Sequence, residues 1–450
     1  MKFAVSASSA AAVAAVLVLA AQPSAVDACN HDAVRRATAI NADPVQRAAI
    51  HHRHFRNVAL GKRQASKYPP AGATPPKSMT PKEWLDALSA AERAGKIPNV
   101  PQTRLVNGLI TYPSGTDVNS VCSWTQTSCF GKNDISKAPD GYWGLNFDDG
   151  PNTPSPTLYR FLQQQNKAAT FFLIGGNIAG NPDAIKQAQS MGVGNWGVHT
   201  WSHTVQTTLS NEEIVAELGW TMQIIYDLTG RIPRFWRPPQ GDADNRVRAV
   251  AEEVFGLIAV MWDEECNDWC ISETGSIATE CANTTPGRSI ASVTKAIDDA
   301  TKLPKSPGVI LLEHDLTTYS IKAFEEHTWT GIQSQGWNAQ PIGNFPGQTW
   351  YANAANASST PSSQTSMLKS AQVAVSGGGS GSGSGSSGSG SSSSSTSRSA
   401  STSGSSPSTR PTSSSGTATG AASAAVSAPG LLSGSLGALI AVALGAAALI

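Results

Sequence analysis

Residues 143–151 read W-G-L-N-F-D-D-G-P, and the reading of this stretch decides the fold. A short apolar run ends in two adjacent carboxylates, Asp148 and Asp149, and Gly150-Pro151 then breaks the strand and forces a turn. In α/β folds, ligands bind just beyond the C-terminal ends of the strands. Two acids at such an edge stand where chemistry is done. A solvated Asp-Asp-Gly turn accounts for the same residues equally well, so the surrounding chain must decide.

Downstream, the pattern alternates. Short apolar runs at 142–147, 168–173, 194–199, 234–237, 257–262 and 308–313 read as strands. Between and after them, 155–165, 182–191, 211–228, 246–254, 288–301 and 321–335 read as helices. The helix at 211–228 is strongly periodic, with Ile214, Leu218, Met222 and Ile225 on one face. Strand followed by helix, repeated, means parallel strands joined by crossovers. The expectation is a distorted (β/α) barrel of about seven parallel strands spanning residues 138–345.

Upstream, residues 29–137 read as an N-terminal extension packed on that domain. Trp84, Leu85, Leu88 and Ala91 give 82–96 a helical pattern, and Thr80-Pro81 suits a cap followed by proline at the first helical position. The Lys62-Arg63 pair after a basic stretch fits either a pro-peptide cleavage site or surface charge. Residues 1–20, with one Lys and then an Ala/Val/Leu run, read as a secretory signal, with cleavage after Ala20 or as late as Ala28. Residues 357–428, rich in Ser, Thr, Gly and Ala, read as a disordered, O-glycosylated stalk. The uncharged tail 429–450, with small residues near Gly420 and Ser423 before it, fits a GPI attachment signal, with a single-pass tail anchor as the alternative. The expected place is therefore the secretory route, ending at the outer face of the cell membrane and the wall.

Six cysteines in such a chain favour disulfides over metal thiolates. Cys122 and Cys129 are near neighbours, and Cys266, Cys270 and Cys281 form a second cluster, but spacing does not settle the connectivity. Asn283 and Asn356 sit in N-glycosylation sequons. The formal net charge is zero, which argues against nucleic acid or an anionic surface as partner. No protein partner is expected.

The polar residues fall into one arrangement on this pattern. His199 and His203, in H-T-W-S-H, end the third strand, and their spacing lets both imidazoles reach one cation if the segment turns helically. Two histidines and one carboxylate, from Asp148 or Asp149, make a catalytic zinc set. Arg237 ends the fourth strand, Asp268-Trp269 follows the fifth, and His314-Asp315 ends the sixth. Each alone is ordinary: a satisfied histidine pair, a loop arginine, a capped strand end. Their shared position at one end of the strands is what points to an active face.

The segments N-F-D-D-G-P, H-T-W-S-H, R-F-W-R-P-P-Q-G, E-C-N-D-W and L-L-E-H-D, in that order, resemble the five motifs of the polysaccharide deacetylases of NodB-homology type. With the secreted, Ser/Thr-rich, GPI-tailed layout, the chain is most similar to the fungal chitin deacetylases. The resemblance implies that Asp149, His199 and His203 bind a divalent metal, zinc or cobalt. It implies Asp148 as general base, Arg237 as its partner, and Asp268 as the residue that tunes His314, the general acid. Trp269 and Leu312 are implied to shape the acetyl pocket, and Gln240 to offer a backbone N–H to the oxyanion. Asn146 stands where the family usually has Thr, Gln240 where Tyr is common, and Glu265 where Asp is more usual. Trp143, Trp201, Trp236 and Trp269 are candidates for stacking on sugars, or ordinary core and rim aromatics. The expected substrate is chitin or its oligomers. Peptidoglycan, acetylxylan, or a catalytically silent role as a chitin-binding wall protein are the alternatives.

Overall fold

The computed structural model describes residues 67–282 and 287–372. The signal region, the Lys62-Arg63 pair, Asn283, residues 373–450 and so Gly420 and Ser423 lie outside the described residues.

In chain order, α1 (Lys82–Arg93) precedes a hairpin of β1 (Arg104–Val106) and β2 (Leu109–Thr111), and then α2 (Trp124–Thr127). The alternating part follows: β3 (Tyr142–Asp148), α3 (Ser155–Gln164), β4 (Ala169–Leu173), α4 (Gly175–Gly180), α5 (Pro182–Met191), β5 (Gly194–Val198) and α6 (Asn211–Thr229). Next come β6 (Phe235–Trp236), α7 (Asn245–Phe255), β7 (Ile258–Ala259), β8 (Glu264–Glu265), α8 (Thr279–Ala282), α9 (Ile290–Thr301) and β9 (Leu311–Leu312). The last are α10 (Thr318–Ala323), a π-helical segment (Phe324–Trp329), α11 (Thr330–Gln335) and β10 (Asn338–Pro341).

Six parallel strands form one sheet in the order β10-β3-β4-β5-β6-β7, and β8 and β9 form a second parallel pair. Single parallel bridges, Trp143 with Val309 and Asp148 with His314, lay the β9 segment along β3. The expected distorted barrel is what results. The later strands are shorter than the apolar runs suggested, because only two residues of each of β6, β7 and β9 stay in register. β10 is added at the edge, where the sequence offers only N-A-Q-P. The strands β3, β4 and β5 are buried on both faces, as crossover helices require.

Upstream of the barrel, α1 buries Trp84, Leu88 and Ala91, with Trp84 edge-on to Trp220 of α6 and Phe255 of α7. Its start differs. Pro81 occupies the cap position, and no side chain caps the helix. By contrast, α6 opens with a full capping box, Ser210 and Glu213 each bonding the other's backbone N–H.

The far boundary also differs from expectation. Residues 357–372 are not part of a detached stalk. Arg231 donates to the carbonyls of Ala357 and Ser359, Met367 is buried, and Gln372 donates through Nε2 to the Phe255 carbonyl at 2.6 Å. Met367 and Leu368 supply the apolar anchors that the later Ser/Gly run lacks.

Candidate active site

The catalytic candidates lie at the C-terminal ends of the strands, and the backbone there is bent to present them. Asp149 (φ 72°), Thr200 (φ 66°), His203 (φ 59°), Gln240 (φ 57°) and Asn267 (φ 60°) all occupy the left-handed region. Such conformations disfavour side-chain-bearing residues and persist where the surroundings impose them.

Asp149 Oδ1 is 3.2 Å from Nε2 of both His199 and His203. The three ligand atoms all lie within 4.8 Å of one another, and all three residues are buried. His199 Nδ1 is 2.7 Å from the Arg237 carbonyl. The carbonyl can only accept, so Nδ1 carries the proton and the Nε2 lone pair faces the cluster. Two imidazoles and a carboxylate suit a cation such as zinc or cobalt. The residues therefore fit the group the family implies. The segment 199–203 is not helical, however. The histidines converge through an irregular turn with left-handed residues at 200 and 203, not through one helical turn.

Asp148 stands beside this cluster, with Oδ2 3.8 Å from His199 Nε2. Its Oδ1 accepts from Arg237 Nη1 at 2.7 Å. Arg237 has no exposed surface. Its Nη1 also donates to Asn146 Oδ1 at 2.6 Å, its Nε to the Val260 carbonyl at 3.0 Å and its Nη2 to the Met261 carbonyl at 3.2 Å. The guanidinium lies 4.3 Å from the Phe172 ring centroid. Burial pulls the Arg237 pKa down, and the Asp148 carboxylate pulls it back up. Asn146, the departure from the usual Thr, acts as a relay. Its Nδ2 donates to the Gly144 and Leu311 carbonyls, which leaves Oδ1 facing Arg237.

His314 is held twice by Asp268: Nδ1 lies 2.7 Å from Oδ1, and the His314 N–H donates to Oδ2 at 2.7 Å. Burial disfavours the imidazolium. The Asp268 charge and hydrogen bond, with the fields of Asp149 and Asp148, outweigh it and push the pKa up to about 10. A protonated imidazole is what a general acid needs.

The pocket-lining assignments fare unevenly. Gln240 sits in a tight turn, Pro239–Gly241, against α2. Leu312 and Trp269 are both buried, in different apolar clusters. Trp143, Trp201 and Trp236 are wholly buried core residues, which removes them as sugar-stacking platforms, and Trp269 is 7% exposed. Cys122–Cys129 and Cys270–Cys281 are bridged, while Cys266 is a buried free thiol beside the Leu312 carbonyl. Asn356 is exposed, and its Oδ1 accepts from the Ser358 and Ser359 N–H groups.

Three supporting residues escaped sequence reading. Asn177 donates to the Asp149 carbonyl at 2.8 Å. Asp242, with its pKa pushed up to about 7 by burial, accepts from Thr207 N and Oγ1 and so ties the turn after Arg237 to the loop after His203. Glu217 accepts from Trp201 and Ser202. Only Glu217 left a signal: a carboxylate set in the apolar run of a strongly periodic helix.

A family model described as polysaccharide deacetylase matches residues 136–255. Chitin deacetylase 3 of Cryptococcus neoformans var. neoformans is 41% identical over 295 residues, covering 64% of this chain and 68% of the relative. The chain belongs to the polysaccharide deacetylase family. The chitin deacetylase of Amylomyces rouxii is 39% identical over 191 residues, covering 40% of this chain and 45% of that one. Among solved structures, the chitin deacetylase of Colletotrichum lindemuthianum matches with TM-score 0.41 and 22% identity, over 48% of this chain and 94% of that chain. For this polysaccharide deacetylase, the motif residues named from sequence are the ones gathered at the strand ends.

Proposed function

We propose that the protein hydrolyses the N-acetyl groups of N-acetylglucosamine residues in chitin, giving chitosan and acetate. The observation that carries this reading is the pairing of two differently tuned groups around one candidate cation site. Asp148 is held by Arg237 as an acceptor, and His314 is held by Asp268 as a donor. The chitin deacetylases among its relatives supply the substrate class.

Asp149, His199 and His203 would hold a divalent cation, zinc or cobalt. When bound, it supplies Lewis acidity that polarises the acetyl carbonyl and makes water a nucleophile at neutral pH. Asp148 takes a proton from the attacking water. Arg237 keeps that carboxylate aimed, since four further contacts fix the guanidinium itself. The Gln240 N–H is assigned to the developing oxyanion. When the C–N bond breaks, its electron pair goes to nitrogen, and His314 donates the proton that lets the sugar amine depart. Leu312 and Trp269 are assigned to the acetyl methyl.

The wider setting is part of the same proposal: export by the N-terminal signal, glycosylation at Asn283 and Asn356, and a GPI lipid attached near Gly420 or Ser423. The enzyme would then work at the cell surface and in the wall. Mass spectrometry of defined chito-oligomers, with and without chelator, tests the reaction. Release of acetate by the metal-replete protein is expected, with none after chelation. Turnover of peptidoglycan or acetylxylan but not chitin would overturn the substrate assignment. Release from cells by a phosphatidylinositol-specific phospholipase tests the anchor.

A further inference from the structure

We propose that Glu217 is the positioning residue that holds the two-histidine loop in its cation-binding shape. The proposal rests on reading Asp149, His199 and His203 as a cation site.

The loop 199–203 leaves β5 and bends through two left-handed residues, Thr200 (φ 66°) and His203 (φ 59°). Thr200 is β-branched, and for such a residue this backbone is a true outlier. A segment of this kind keeps its shape only if the surrounding contacts over-determine it, so its backbone partners matter. The Thr200 and Trp201 carbonyls accept from the Gly175 and Gly176 N–H groups at 3.0 and 2.9 Å. The His203 N–H donates to Thr200 Oγ1 at 3.2 Å. The two N–H groups at the apex, those of Trp201 and Ser202, both donate to Glu217 Oε2, at 2.7 and 2.8 Å. The Ser202 hydroxyl donates to Oε1 of the same carboxylate. One buried side chain therefore satisfies three donors at the apex between the two histidines.

Glu217 projects from α6, which is locked by its capping box and by eleven buried residues. It has no exposed surface, and it bonds the two residues at the apex, whereas the histidine rings on either side of them converge on Asp149. Its contacts are with the Trp201 and Ser202 N–H groups, the Ser202 hydroxyl and Thr74, so it acts through the ligands and not on them. A second tether, the Trp201 indole N–H to the Pro70 carbonyl at 2.9 Å, pins the apex to the N-terminal extension. Outer contacts of this type orient metal ligands, and losing them typically costs about 10–100-fold in metal affinity.

The role depends on where the acceptor oxygen lies, not on charge, and two conservative variants separate these. Glu217→Gln keeps an oxygen for the two N–H groups and can donate to Ser202 Oγ instead of accepting from it. Glu217→Asp keeps the charge but withdraws the oxygens by about one C–C bond, ~1.5 Å. The full chain, stripped of metal, is titrated with Co(II). The readouts are the dissociation constant and the visible d–d spectrum, with near-UV circular dichroism of the apo form as the fold control. We expect Glu217→Gln to match wild type, and Glu217→Asp to bind about 10–100-fold more weakly with an altered d–d band. Wild-type binding by Glu217→Asp, or an equal loss in Glu217→Gln, would overturn the proposal. Should Glu217→Asp not fold, Glu217→Ala, which removes the acceptor oxygens, takes its place: weaker Co(II) binding supports the role and wild-type binding overturns it. Failure of the wild type itself to take up Co(II) would defeat the cation-site reading, a separate result.

Discussion

At the scale of single residues, the site works by giving similar groups different surroundings. Asp148 and Asp149 are chain neighbours, yet one faces an arginine and the other two imidazoles. Asp148→Asn should therefore cut turnover by about 10²–10⁴-fold, the usual worth of a general base, while metal content stays near wild type. His199→Ala should lose the metal. Equal metal content in the two variants, by atomic emission after dialysis, would contradict the division of labour. His314 carries the opposite logic. In the proposed role it acts protonated, and against the burial that disfavours the charge, Asp268 pushes its pKa up to about 10. The alkaline limb of the activity then falls as pH rises through that value. Asp268→Asn removes the principal support for the charge, so the alkaline limb should move to lower pH by about 1–3 units. A kcat/KM profile with an unmoved limb would show that Asp268 does not tune the acid.

Elements set how those residues are carried. The strands stop at the reacting groups, and the turns that follow hold left-handed residues that need support from behind. The Arg237 turn is the clearest case. Gly241 has φ 71°, and a Cβ there would sit 2.2 Å from the Trp124 ring of α2. Gly241→Ala combines a disfavoured backbone with a steric clash. It should destabilise the fold by more than ~1 kcal/mol and lower kcat, because Gln240 shares the turn. Denaturant melts paired with kinetics check this. Arg237 joins β6 to β3 through Asp148 and Asn146. Arg237→Met leaves Asp148 a buried, uncompensated charge. A loss of about 3–5 kcal/mol is expected in the same melts.

At the scale of the whole molecule, the barrel is wrapped by its own flanks. The extension 67–137 covers α6 and α7, and its Cys122–Cys129 loop carries the α2 that backs the Arg237 turn. Beside it, 357–372 closes over α7 and Arg231, and Lys369 meets the same Glu253 that pairs with Lys96 of the extension. A chain ending at 372 should melt like the full-length protein, whereas one ending at 356 should melt several degrees lower. About 1 kcal/mol corresponds to ~2–4 °C in a domain of this size. Identical melting of the two truncations would mean that 357–372 adds nothing to the core.

Much of this was legible in the residues themselves. Strand and helix periodicity, and polar residues falling after apolar runs, determined the barrel and the face that carries the chemistry. Those are local signals, written every two or every three to four residues. The motifs by themselves group Asp148, Asp149, His199, His203, Arg237, Asp268 and His314. Tertiary structure alone decided how they are held. Glu217, Asn177 and Asp242 reach the site from separate elements, and no spacing along the chain records which backbone N–H a distant carboxylate will satisfy. It also turned three tryptophans into core and drew 357–372 onto the body. Burial and hydrogen-bond satisfaction are properties of the packed molecule and not of any one segment.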